Sequence, residues 1–151
     1  MVWPEDVYSI VLAVVLGAAI GLERELRHKA AGLRTNVLIC LGAAVFTIIS
    51  KRMAAGQQDS LTRIAAQIVT GVGFLGAGAI IVDRAGIHGL TTAATIWLVA
   101  SIGMACGAGF YSLAIVSTII AIAVLIGLAK LAKPERYEGK HKLENPSDEQ
   151  S

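Results

Sequence analysis

Between Gly89 and Ala129 the chain runs 41 residues without a charged side chain. As one straight helix that stretch would be about 60 Å long at roughly 1.5 Å per residue. The hydrocarbon core of a bilayer is only about 30 Å thick. The segment therefore reads as two membrane passages joined by a tight turn near residues 107–111. Uncharged runs at residues 7–22 and 64–82 each supply one more passage. Residues 35–50 are slightly short, but Lys51 and Arg52 follow and can reach the interface along their apolar stems. The expectation is an all-α membrane protein, a bundle of five transmembrane helices. Composition agrees: 16% of residues are charged and mean hydropathy is +0.67, where a soluble domain carries about 25% charged residues.

The basic residues set the expected orientation. With the N-terminus outside, Arg24, Arg27, Lys29, Arg34, Arg84, Lys130, Lys133, Arg136, Lys140 and Lys142 fall on the cytoplasmic side. Only Lys51, Arg52 and Arg63 fall outside. Positive residues favour the cytoplasm, so the topology is N-out, C-in. The net charge of +2 then gives no reason to invoke nucleic acid. Topology and attraction to anionic lipid account for the cations. The first helix begins Met-Val-Trp-Pro-Glu-Asp, acidic rather than basic, unlike a cleavable signal. Trp3 and Tyr8 read as interfacial anchors.

Residues 1–129 form the expected transmembrane domain. Residues 130–151 read as a cytoplasmic tail, disordered or lying on the lipid surface, because so few polar residues cannot bury a core. Cys40 and Cys106 read as small buried hydrophobes. Cys40 is placed near the inner end of helix 2 and Cys106 near the outer end of helix 4, roughly 15 Å apart in depth and too far for a disulfide.

There is an internal echo. Leu16-Gly-Ala-Ala-Ile precedes Glu23-Arg24, with Gly32-Leu-Arg-Thr35 after it. Leu75-Gly-Ala-Gly-Ala precedes Asp83-Arg84, with Gly89-Leu-Thr-Thr92 after it. Either helices 1–2 and 3–4 are parallel repeats, or Gly, Leu and Thr recur independently at helix ends.

Helix 1 carries Gly17-x-x-x-Gly21 and helix 4 carries Gly103-x-x-x-Gly107. Small residues four apart make a flat strip for close helix approach. The strips serve packing within the monomer or a contact with a partner helix. Helix 3 carries Gly71, Gly73, Gly76 and Gly78. Each costs about 1 kcal/mol against Ala in a helix, so close packing is expected to offset the cost, or the helix unwinds and offers carbonyls to an ion. Gln67, with Thr70 nearby, should face the bundle, since a polar amide in lipid seeks a partner. Arg63 caps that end.

The densest chemistry lies between Glu23 and Arg34. If helix 1 continues into this loop, Glu23–Arg27 and Glu25–Lys29 become i,i+4 pairs. The loop is a salt-bridged surface or a binding patch. Thr35 and Thr91 or Thr92 read as N-caps. The two helix N-termini would favour a carboxylate or another anion nearby, with Glu23, Glu25 and Asp83 as candidates. A metal set could be drawn from Glu23, Glu25, His28, Asp83 and His88, but no tight ligand spacing supports it. No phosphate-binding glycine loop, zinc-ligand motif or serine–base arrangement stands out, so no cofactor and no enzymatic activity are expected.

Gly21-Leu-Glu-Arg-Glu25, Ala31-Gly-Leu-Arg-Thr35, the block from Arg63 to Gly78, and Gly89-Leu-Thr-Thr-Ala-Ala-Thr95 followed by Trp97 together resemble the MgtC/SapB family of bacterial inner-membrane proteins. The resemblance implies a multi-pass inner-membrane protein associated with low magnesium, acid stress and survival in host cells. It implies a regulator that binds other membrane proteins, or itself, rather than a carrier; a small transporter or channel for a divalent cation is the alternative. Longer members carry a cytoplasmic C-terminal domain, which this sequence is expected to lack. The family pattern falls on Glu23, Arg24, Glu25, Arg34, Thr35, Arg63, Gln67, the helix 3 glycines and Thr91, Thr92 and Thr95.

Overall fold

The structure is a computed structural model that describes residues 3–54, 58–84 and 86–131. Five helices follow one another: α1 (Pro4–Leu26), α2 (Leu33–Met53), α3 (Gln58–Gly78), α4 (Leu90–Ala108) and α5 (Tyr111–Leu131). Helices are what apolar sequence must form in lipid, where every backbone group needs an internal partner. Among the described residues, four of them are long and apolar enough to cross a membrane, and α3 contributes a shorter apolar stretch, Ala65–Gly78. The expected tail lies almost entirely outside the described residues.

α2 is the centre of the bundle. It packs against both α1 and α4, which also touch each other, while α3 rests on α4 and more lightly on α2, and α5 lies against α4 and α1. The core is built largely of small residues, among them Ala13, Cys40, Ala44, Cys106 and Ala114. Bulky side chains point outward instead: Val11, Val15, Phe46, Ile119 and Ile120 are all exposed. A soluble monomer rarely exposes a continuous apolar surface; a bundle surrounded by lipid must. The hydroxyls of Ser9, Thr47, Thr95 and Thr118 bond back to carbonyls four residues earlier, which satisfies them inside their own helices.

The turn between the last two passages falls where expected. Gly109 adopts φ 91° and follows Ala108. Its N–H bonds to the Cys106 carbonyl and that of Phe110 to the Ala105 carbonyl, the Schellman pattern that ends a helix. At the same end of the bundle Tyr111 packs edge-on against Tyr8 with ring centroids 4.9 Å apart. Its hydroxyl lies 2.9 Å from Ser9 Oγ, and Asp6 pairs with Arg52.

Three expectations need correction. Helix 3 stops at Gly78, not at residue 82. Ile81–Asp83 and Gly86–His88 form a two-stranded antiparallel hairpin instead. The β-branched run Ile80-Ile81-Val82 suits a strand, and the Gly86 N–H bonds to Asp83 Oδ1 at 3.1 Å, which closes the turn. The two halves of the sequence echo thus differ locally: Glu23-Arg24 lie in the last turns of α1, Asp83-Arg84 at a hairpin turn.

The helix starts differ as well. Gly32 and Gly89, not Thr35 and Thr91 or Thr92, precede α2 and α4 as N-caps. Each glycine sits where the chain crowds. A Cβ at Gly89 would run into the Ala79 carbonyl, and one at Gly32 into the Glu25 carboxylate.

Finally, the two cysteines are not far apart in depth. Gly103 stands against Cys40, and Gly107 against Ala44. These levels put Cys106 roughly 5 Å above Cys40 along two parallel axes. α4 begins 13 residues before Gly103, whereas α2 begins seven residues before Cys40. The shift between the helices brings the thiols into one core. Both are free and fully buried.

Candidate functional site

The polar chemistry collects where α1 ends. Leu26 is its last residue, and the chain then turns back through a second Schellman pattern. The His28 N–H bonds to the Glu25 carbonyl and that of Lys29 to the Arg24 carbonyl. His28 takes φ 53°, a position glycine usually fills.

This turn leaves Glu23, Arg24 and Arg27 on one patch. Arg24 is only 3% exposed. Its Nε donates to Glu23 Oε2 at 2.6 Å and its Nη2 to Glu23 Oε1 at 3.0 Å. Arg27 Nε lies 2.5 Å from the same Oε1. One carboxylate therefore serves two guanidiniums, and a positive charge remains. The expected Glu23–Arg27 pair is present. The expected Glu25–Lys29 pair is not: Glu25 Oε2 accepts the Leu33 N–H at 2.9 Å and caps α2 across the loop. A carboxylate there meets the positive end of the helix. Arg34 and Thr35 are exposed, and Arg34 joins none of these groups.

Asn36 was not singled out from the sequence. It is fully buried, and its Nδ2 donates to the carbonyls of Ala31 and Gly32 at 2.7 and 2.8 Å. It pins the α1–α2 loop from inside. Asn36 follows Arg34 and Thr35, so in the sequence it reads as one more polar residue at the start of α2.

On the hairpin side, Asp83 Oδ1 lies 3.5 Å from His88 Nε2. Thr92 and Thr95 are buried in α4, Thr91 is exposed, and Thr95 Oγ1 bonds to the Thr91 carbonyl. The residues from which a metal set could be drawn do not converge: among the described residues no three His, Cys, Asp or Glu side chains lie together.

The glycine strips divide into two kinds. Gly17 and Gly21 of α1 face α2, where an added Cβ would come within 2.8 Å of Cys40 Cβ and Leu33 Cα. Gly103 and Gly107 of α4 also face α2, against Cys40 and Ala44. All four are therefore packed inside the monomer and not open to a partner. α3 behaves differently. It is a continuous helix, not unwound, and a Cβ at Gly71, Gly73 or Gly78 would meet nothing within 4 Å among the described residues. Among the described residues only Gly76 of this group has a close neighbour: a Cβ there would lie 3.5 Å from the Ala93 carbonyl oxygen of α4. The expected close packing of this strip is thus absent. Gln67 and Thr70 are exposed rather than turned into the bundle. Gln67 borders a groove of about 610 Å³ between α2 and α3, lined otherwise by apolar residues and Gly42 and Gly71. Thr70 Oγ1 satisfies itself on the Ala66 carbonyl at 3.0 Å. The Arg63 side chain lies outside the described residues.

A family model for the MgtC family matches residues 10–133. The chain belongs to the MgtC family. As an MgtC-family chain with four helices long enough to span, it is a multi-pass protein of the bacterial inner membrane. Protein MgtC of Brucella abortus is 51% identical over 112 residues, covering 74% of this chain and 46% of the relative. YhiD of Escherichia coli, named as a candidate magnesium transporter, is 48% identical over 130 residues, 80% of this chain and 59% of the relative. An uncharacterized protein of Synechocystis sp. is 40% identical over 144 residues, 95% of this chain and 61% of the relative. The chain spans about half the length of the curated MgtC-family relatives it matches. No solved structure matches it.

Proposed function

We propose that this MgtC-family chain is a non-enzymatic regulator that docks another membrane protein along α3, in adaptation to magnesium limitation or acid stress. In this reading the N-terminus faces out and the C-terminus faces the cytosol. One observation carries it. Gly71 and Gly78, seven apart and so on one face of α3, weaken it as a helix, yet among the described residues nothing lies within 4 Å of where their side chains would be. Phe74 on the same helix is 81% exposed. A partner helix laid on this face would supply the close approach that such residues permit in lipid.

Affinity purification in gentle detergent tests this. Gly71→Leu and Gly78→Leu should abolish a co-purifying membrane protein without lowering the thermal midpoint of the chain. If both variants recover the same partner at the same yield, α3 is not the docking face.

Passage of a divalent cation is the second reading, supported by Gln67 beside the α2–α3 groove and by the name given to the Escherichia coli relative. Purified chain in sealed vesicles would then pass labelled magnesium, and Gln67→Leu would reduce the flux. Vesicles that pass no magnesium remove this reading.

A further inference from the structure

We propose that the Arg24 end of the bundle holds a phosphate group, carried by an anionic phospholipid or free in solution. A cavity of about 970 Å³ opens there between the end of α1, the start of α4 and the last turns of α5. Arg24, Arg27 and Lys29 border it on one side. Glu23 offsets only one of these three charges. Arg24 is buried, and Glu23 holds its Nε and Nη2; its Nη1 has no acceptor in the described chain. Nη1 is not sealed among the buried atoms, so at the rim of the cavity this remaining edge is accessible and can donate to an anion.

The start of α4 forms a second part of the same cavity, through Leu90, Thr91 and Thr92. Gly89 provides no side-chain cap and the first turn holds no acidic residue. The first amides of the helix thus face a partly positive end without a carboxylate. At α2 the chain supplies that carboxylate itself, from Glu25. The first turn of α4 itself contains none.

The remaining wall is apolar, from Val124, Leu125 and Leu128 of α5. Forked guanidiniums, an ammonium and free amides around a large space suit a phosphate better than a single carboxylate. The apolar wall suits a hydrocarbon chain attached to it. A phospholipid satisfies both walls at once; inorganic phosphate satisfies the polar one.

Native mass spectrometry of the full chain tests the lipid arm, with phosphatidylglycerol set against phosphatidylcholine. Sodium phosphate against sodium chloride at equal ionic strength, read as a thermal shift, tests the soluble arm. Phosphatidylglycerol should be retained over phosphatidylcholine, and each of Arg27→Gln and Lys29→Gln should weaken retention about fivefold. Lys51→Gln at the opposite end should not. Thr91→Asp places a carboxylate at the start of α4, where it favours the helix, so the fold is kept while the anion is displaced. Stabilisation by phosphate without lipid retention assigns the site to a soluble phosphate. If neither probe binds, if Lys51→Gln weakens retention equally, or if Thr91→Asp changes nothing, the site does not exist.

Discussion

Gly103 of α4 lies directly against the Cys40 carbonyl of α2, so close that no β-carbon fits between them. Gly17 of α1 stands against the Cys40 side chain. Cys40 is thereby held between two glycine strips, and three helices meet at one level. In a membrane little hydrophobic force acts between helices, so packing of this kind is the main source of cohesion.

Gly103→Ala should therefore destabilise the chain by about 2–3 kcal/mol, because the atom it strikes is backbone and cannot rotate away. Gly42→Ala, also in a helix but with open space around it, should be neutral or gain up to about 1 kcal/mol. Thermal unfolding in detergent separates the two. Equal effects would mean that the α2–α4 contact is looser than described.

The two Schellman turns predict changes of opposite sign. Gly109 takes φ 91° with nothing near its missing side chain. Gly109→Ala should cost about 1 kcal/mol from backbone conformation alone. His28 already bears that cost at φ 53°, so His28→Gly should stabilise by a similar, smaller amount. Circular dichroism melts of the two variants against the parent check both signs.

Glu23 is the sole carboxylate paired with the buried Arg24 among the described residues. Glu23→Gln should destabilise by about 3–5 kcal/mol, since it leaves a buried guanidinium without its counter-charge. Arg27 is 33% exposed, so Arg27→Gln should cost under about 1 kcal/mol. A Glu23→Gln protein as stable as Arg27→Gln would show that Arg24 finds other compensation.

Glu25→Ala removes the carboxylate from the Leu33 N–H and should cost about 1 kcal/mol, the usual worth of a helix cap. Lys29→Ala, whose carboxylate partner was expected but is absent, should change folding stability little. The same melts read both.

Cys40 and Cys106 are both fully buried. N-ethylmaleimide should label neither in the folded chain and both after denaturation, counted by mass. Labelling of one cysteine under native conditions would show that its helix opens locally.

Much of this was legible from residue order. The charge-free run from Gly89 to Ala129 marks two passages and the place of their turn, and Gly109 makes that turn. The i,i+4 spacing of Glu23 and Arg27 gives their pairing once α1 is known to run on to Leu26. What was not legible is instructive. The glycines of α3 are as closely spaced as those of α1 and α4, yet among the described residues Gly71, Gly73 and Gly78 face open space. Asn36 looks like any polar residue near a helix start until the loop it pins is seen. The Ile80–Val82 run is apolar enough to pass for helix, and only its pairing with Gly86–His88 makes it a strand.

The sequence by itself determined the class, the number of helices and the family, because a chain in lipid must satisfy its backbone locally and apolar length alone then counts the helices. The tertiary structure alone decided which glycines are filled, why Cys40 and Cys106 share a core, and that Glu25 caps α2 instead of meeting Lys29. Those outcomes follow from how far α4 slides along α2 and how the loops fold back. Such offsets are set by contacts between residues distant in the chain, and no local pattern encodes them.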